Sequence, residues 1–145
     1  MKTYLVIFCL GFLFLSCERK QELKIIDSPT VTVVKLESAI YCGDFEASKE
    51  FIDLEQTFSK AANGDKKSVE DTWYKFVKFV HSISHDNKFS NAFPFHRYQL
   101  VEKINGHFSE VKLFERNTNN EIQKITYKLA LQNGSWKVIS FDLKR

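Results

Sequence analysis

His81 and His85 stand four residues apart and are followed by Asp86. One helical turn is the spacing that sets two imidazoles on the same helix face, as two ligands of a zinc ion require. A complete site needs a third and usually a fourth ligand. His96 or His107 could supply one, but the Glu of a His-Glu-x-x-His protease signature is missing. The competing reading places both histidines beside an apolar stripe near a helix C-terminus, where partial positive charge is favourable. The chain has no Ser-His-Asp signature, glycine-rich phosphate loop or paired-cysteine cluster, and its five glycines leave little material for one. Nucleotide and cofactor enzymes are therefore disfavoured, and no cofactor is implied.

The three cysteines are explained by the N-terminus. Met1-Lys2-Thr3 precedes a twelve-residue apolar run from Tyr4 to Leu15, then Ser16-Cys17 and the charged Glu18-Arg19-Lys20. A basic start, a short apolar centre and small residues at a cut site are the parts of a secretory signal. The run falls short of the roughly 20 apolar residues that cross a bilayer. Phe14-Leu15-Ser16-Cys17 resembles the lipobox of bacterial lipoproteins, which implies removal of residues 1–16 and lipidation of Cys17. Two or more acyl chains make such anchoring stable. The expected protein is lipid-anchored in a bacterial cell envelope, at the outer membrane, with its domain in the periplasm or at the cell surface. Cys9 leaves with the signal and Cys17 takes the lipid. That excludes a disulfide within the mature chain and leaves Cys42, whose helical apolar context suggests a small buried filler.

Removal of the signal leaves 129 of 145 residues, enough for one core and one domain, with residues 17–28 as a tether and 29–145 as the folded part. The formal charge drops from +3 to +2 because Lys2 is the only charged residue removed. Lysines are interspersed with acids and form no basic stripe, so nucleic acid is not an expected partner.

The elements that would position any site follow from periodicity. Ser28-Pro29 is a helix start, with Ser as the cap and Pro in the first position. Residues 30–37 read both ways, since Val31 and Val33 alternate like a strand while Val33, Leu36 and Ile40 repeat like a helix. Gly43-Asp44 ends one helix and caps the next, expected over residues 45–54. The longest helix is predicted over 66–84, from the stripe Val69, Trp73, Phe76, Val80 and Ile83. After an irregular aromatic stretch containing Phe89, Phe93, Pro94 and Phe95, strands are predicted at 97–104, 108–116, 121–132 and 135–143. Asn105-Gly106 and Asn133-Gly134 mark hairpins. Pairing Gln132 with Ser135 would set Leu131 opposite Trp136, Leu129 opposite Val138 and Tyr127 opposite Ser140 on the core face, leaving Thr126 and Phe141 on the other. Helices followed by an antiparallel meander make an α+β domain with the helices on one side of the sheet.

This order of elements resembles the nuclear transport factor 2-like superfamily, as do the segment Ala39-Ile40-Tyr41-Cys42-Gly43-Asp44-Phe45-Glu46-Ala47 and the hairpin Lys128 to Val138 around Asn133-Gly134-Ser135-Trp136. Within it, the chain looks most like small envelope lipoproteins of Bacteroidota. The resemblance implies a cone-shaped sheet wrapped around a helix to leave a cavity. It covers ketosteroid-isomerase-like and SnoaL-like enzymes as well as non-enzymatic binding domains, so the fold does not choose among them. An isomerase-like member would need a carboxylate base and an enolate-stabilising tyrosine or acid. Tyr98, Tyr127, Glu102, Glu110 and Asp142 lie on strands where such groups could sit. Tyr127 shares a face with Leu129 and Leu131 and reads equally as a core tyrosine.

The pocket candidates are Tyr98, Tyr127, Phe93 and Phe95, the phenylalanines as a lid or as a plug in the open end of the cone. The leading expectation is a membrane-anchored, non-enzymatic domain that binds a small apolar molecule or an envelope protein and could pair with a second copy through its sheet face. An enzyme on a small hydrophobic substrate is the alternative, and a metal-binding lipoprotein using His81 and His85 is a third.

Overall fold

A computed structural model of the chain describes residues 26–58, 65–85, 95–115 and 122–143. The signal segment, Cys17 and Phe93 lie outside the described residues. Among those described, no helix is long and apolar enough to cross a membrane.

Helix α1 spans Pro29–Cys42. The Ser28 hydroxyl accepts from the Val31 amide and Pro29 occupies the first position. A helix separates Val31 from Val33, so Val31 is 39 % exposed while Val33 is buried with Leu36 and Ile40. The ambiguity of residues 30–37 thus resolves in favour of the helix, which already has its cap. At the other end Gly43 takes φ 72°, its amide donating to Ile40 O and that of Asp44 to Ala39 O. This left-handed closure satisfies carbonyls that the helix leaves open. Cys42, expected as buried filler, is exposed on the last turn.

Asp44 caps α2, Phe45–Lys49, through the Ala47 amide. The helix expected over 45–54 stops there. The chain instead lays Ile52 parallel to Val138, with Val138 N donating to Phe51 O and Asp53 N to Val138 O. These bonds use main-chain groups of an edge strand that would otherwise lack partners, which outweighs local helix preference. Asp53 then caps the short α3, Leu54–Phe58.

Helix α4, Lys66–His85, begins at Asp65, whose carboxylate accepts from Ser68 N. Val69, Trp73 and Val77 are buried, and Phe76 and Val80 pack beside them, but Ile83 is 52 % exposed. The Trp73 indole donates to the Ser48 hydroxyl at 2.9 Å inside the core.

A 3-10 turn at Phe95–Arg97 leads into a four-stranded antiparallel meander of order β1-β2-β3-β4: Tyr98–Asn105, Phe108–Glu115, Ile122–Gln132 and Ser135–Leu143. Asn133 and Gly134 both have positive φ, as a type I′ turn needs. The first hairpin differs from expectation. Asn105 pairs with Phe108, so Gly106 and His107 are the central residues and only Gly106 has positive φ, the type II′ pattern.

The pairing of β3 with β4 holds as expected from Gln132/Ser135 to Leu129/Val138, then slips at a bulge. Lys128 meets Ser140, Tyr127 meets Phe141 and Ile125 meets Leu143. Ile139 is the extra residue, so Tyr127 does not face Ser140. A bulge moves every later side chain of its strand to the opposite face. Phe141 and Leu143 are thereby turned from the outer face to the helix-covered one.

Candidate functional site

That face of the sheet, α1 and α4 form a cavity of about 310 Å³ that opens to solvent beside the exposed Phe79, Ile83 and Leu143. Helix α1 contributes Leu36, Glu37 and Ile40, and α4 contributes Trp73, Phe76, Phe79, Val80 and Ile83. Strands β3 and β4 add Ile125, Tyr127, Phe141 and Leu143. The volume is at the lower end of the roughly 300–1,000 Å³ typical of small-molecule sites, which are mostly apolar with a few placed polar groups. Here the polar groups are Glu37 and Tyr127. The rings pack on one another: Trp73 stacks on Phe76 at 5.3 Å, and Phe141 lies 5.8 Å from Phe76 and 6.2 Å from Tyr127.

Glu37 occupies the face of α1 that carries Val33, Leu36 and Ile40, and only 8 % of it is exposed. The Tyr127 hydroxyl donates to Glu37 Oε1. Among the described residues no other group hydrogen-bonds to Glu37, and no lysine or arginine pairs with it. Burial pushes its pKa from 4.5 up to about 7, against the smaller opposing effect of the Tyr127 hydrogen bond. The Tyr127 hydroxyl is held well above its ordinary value, first by burial and then by the neighbouring Glu37 charge. A carboxyl poised near neutrality beside a phenol can hold or release one proton inside an otherwise apolar chamber.

The other candidate residues are dispersed. Tyr98 is partly buried against the core and its hydroxyl is raised by burial and by Glu115. It does not line the cavity. Phe95 sits in the 3-10 turn. Glu102 accepts from both the amide and hydroxyl of Thr30 at 2.7 Å, tying β1 to the start of α1. Glu110 pairs with Lys112 at 3.0 Å, and Asp142 is exposed on the outer side of β4. His81 Nδ1 donates to the Tyr41 carbonyl at 2.9 Å, and its ring lies against Gly43. No group of three His, Cys, Asp or Glu that could hold a metal occurs among the described residues, which exclude the side chains of His85 and His96. A larger hollow of about 450 Å³ lies beside Lys35 and Lys137. Its lysines already have partners, Lys35 in Asp27 and Lys137 in the Glu50 carbonyl.

Glu37 is the residue that strand-centred reasoning missed. Its signal is a charged residue at a position where the helical repeat of Val33, Leu36 and Ile40 calls for an apolar one.

No protein-family model matches the sequence, and no curated protein matches it. A crystal structure of a candidate "NTF2-like transpeptidase" from Campylobacter jejuni superposes with a TM-score of 0.52 at 18 % identity, covering 77 % of this chain and 97 % of that one. At that identity the likeness concerns the backbone alone. With helices on one face of a four-stranded meander and a cavity between them, this chain has the nuclear transport factor 2-like fold.

Proposed function

We propose that this protein is a membrane-anchored binding domain that takes a small, mostly apolar molecule into the cavity between α1, α4 and the sheet. The observation that carries this reading is a chamber walled by aromatic and aliphatic side chains with one buried carboxyl–phenol pair, Glu37 and Tyr127. Apolar walls supply affinity through burial, and a single polar pair fixes orientation. Native mass spectrometry of the purified protein tests it: a co-purified small molecule lost on Leu36→Trp substitution supports the cavity as the site. A clean apo mass together with no binding of any apolar probe sinks the reading.

The lipobox-like segment ending at Cys17 supports anchoring through a lipid on that residue. In cell fractionation Cys17→Ala should move the protein from the membrane to the soluble envelope fraction. Retention like the parent contradicts lipidation. The outer side of the sheet, where Val101 and Phe108 are exposed, is the surface offered to an envelope protein or a second copy.

An enzymatic reading has one observation in its favour, the Glu37 pKa near 7, which suits proton transfer on an isomerase-like or SnoaL-like substrate. Transpeptidation, the activity named for the Campylobacter protein, finds less support. The described cavity lining holds no serine, threonine, cysteine or lysine to act as nucleophile.

A further inference from the structure

We propose that the molecule the cavity takes is a lipophilic cation, an ammonium group on an aliphatic body, with Glu37 as its counter-ion and the surrounding rings as its cage. This inference rests on the binding reading above and names the ligand class.

Three features converge. Glu37 lies in the cavity wall, with Oε1 accepting from Tyr127, and no lysine or arginine among the described residues pairs with it. A buried carboxylate without a cation is costly, and a positive ligand removes that cost while a neutral one leaves it. Trp73, Phe76, Phe79 and Phe141 line the same chamber as the acid, and aromatic faces attract a desolvated cation through their quadrupoles. The aliphatic side chains Ile40, Val80 and Leu143 provide apolar surface for a hydrocarbon body. Free amphiphilic amines and cationic lipid headgroups share this chemistry. The small volume and the siting of the acid between α1 and β3 favour the free amine.

Glu37 must be ionised to pair with a cation, so binding should strengthen as pH rises through about 7. The titratable groups coupled to Glu37 are Tyr127 on β3 and Tyr98 on β1, both raised above their ordinary values and neutral throughout that range. Arg97, Glu115 and Lys124 act on Tyr98.

Isothermal titration of the full chain with octylammonium, octyltrimethylammonium and octanol near pH 5.5 and pH 8.5 tests the inference. Both cations should bind about tenfold or more tightly at the higher pH, since few Glu37 side chains are ionised at the lower one. Octanol should show no such gain. Glu37→Gln should abolish the cation preference while retaining octanol binding, which also reports that the variant is folded. Tyr127→Phe keeps the acid but removes the bond that lowers its pKa, so the onset of cation binding should move to higher pH. Octanol binding as well as the cations at both pH values, with Glu37→Gln without effect, overturns the cationic ligand and keeps the cavity. Failure of all three probes to bind overturns both. Vesicles of zwitterionic lipid doped with a cationic lipid that capture the Cys17→Ala protein no better than undoped vesicles, while octylammonium binds it in solution, mark the free amine as the source. The reverse overturns that choice.

Discussion

The Tyr127 hydroxyl donates to Glu37 across 90 positions of sequence, bolting the third turn of α1 to the middle of β3 at the wall of the cavity. The two residues are joined where neither is well hydrated, so the pair makes folding sensitive to protons. The folded chain retains on Glu37, up to about pH 7, a proton that the unfolded chain releases near 4.5. Stability is fullest below about 4.5, falls as pH rises toward 7 and is level above it. The span corresponds to roughly 3 kcal/mol. Glu37→Gln removes the titration. In urea unfolding, the variant should match the parent near pH 4 and exceed it near pH 8. An equal offset at both values would show that Glu37 does not titrate on folding.

Tyr127→Phe withdraws the hydrogen bond that opposes the effect of burial. Its carboxyl should then titrate higher than about 7, readable as the pH midpoint of the Glu37 side-chain carbon signal in NMR. The loss of the bond should cost about 1–3 kcal/mol, more at alkaline than at acid pH, because an ionised buried acid left without a donor suffers most.

Gly43→Ala should destabilise by about 2 kcal/mol. Part is the left-handed backbone at φ 72°, and part is a Cβ placed 2.8 Å from His81 Cγ. In a His81→Ala background the second part disappears and about 1 kcal/mol remains. A penalty identical in both backgrounds would mean the imidazole has no part in it.

Ser48→Ala leaves the buried Trp73 indole N–H without its acceptor. A loss of about 1–3 kcal/mol is expected, accompanied by a changed tryptophan emission. A neutral result would show that the core relaxes to supply another partner.

The long helix, the meander and the Asn133-Gly134 turn are legible in the sequence because each is written in local periodicity or in turn residues that need positive φ. What was not legible depends on distant parts of the chain. Residues 50–53 leave the helical path to meet Val138, and nothing within that segment announces it. Val31 and Val33 spell a strand until the Ser28 cap and the Thr30–Glu102 contact are counted. Glu37 stood in plain view on an apolar helix face, yet its meaning required knowing that Tyr127 lies opposite. The surface position of Cys42 follows from helical phase, since it lies two residues past the buried Ile40 and about 200° round the helix from it.

The bulge at Ile139 has the effect of a frameshift written in three dimensions. On the hairpin side the two strands keep the phase set by Asn133-Gly134, and on the cavity side they run one residue out of phase. Were Ile139 absent, Ser140 would follow Val138 directly, and unbroken alternation would itself set Phe141 and Leu143 on the cavity side while the turn stayed as it is. A relative one codon shorter at this point would therefore keep the same interior, and the extra residue changes only the backbone that leads to it.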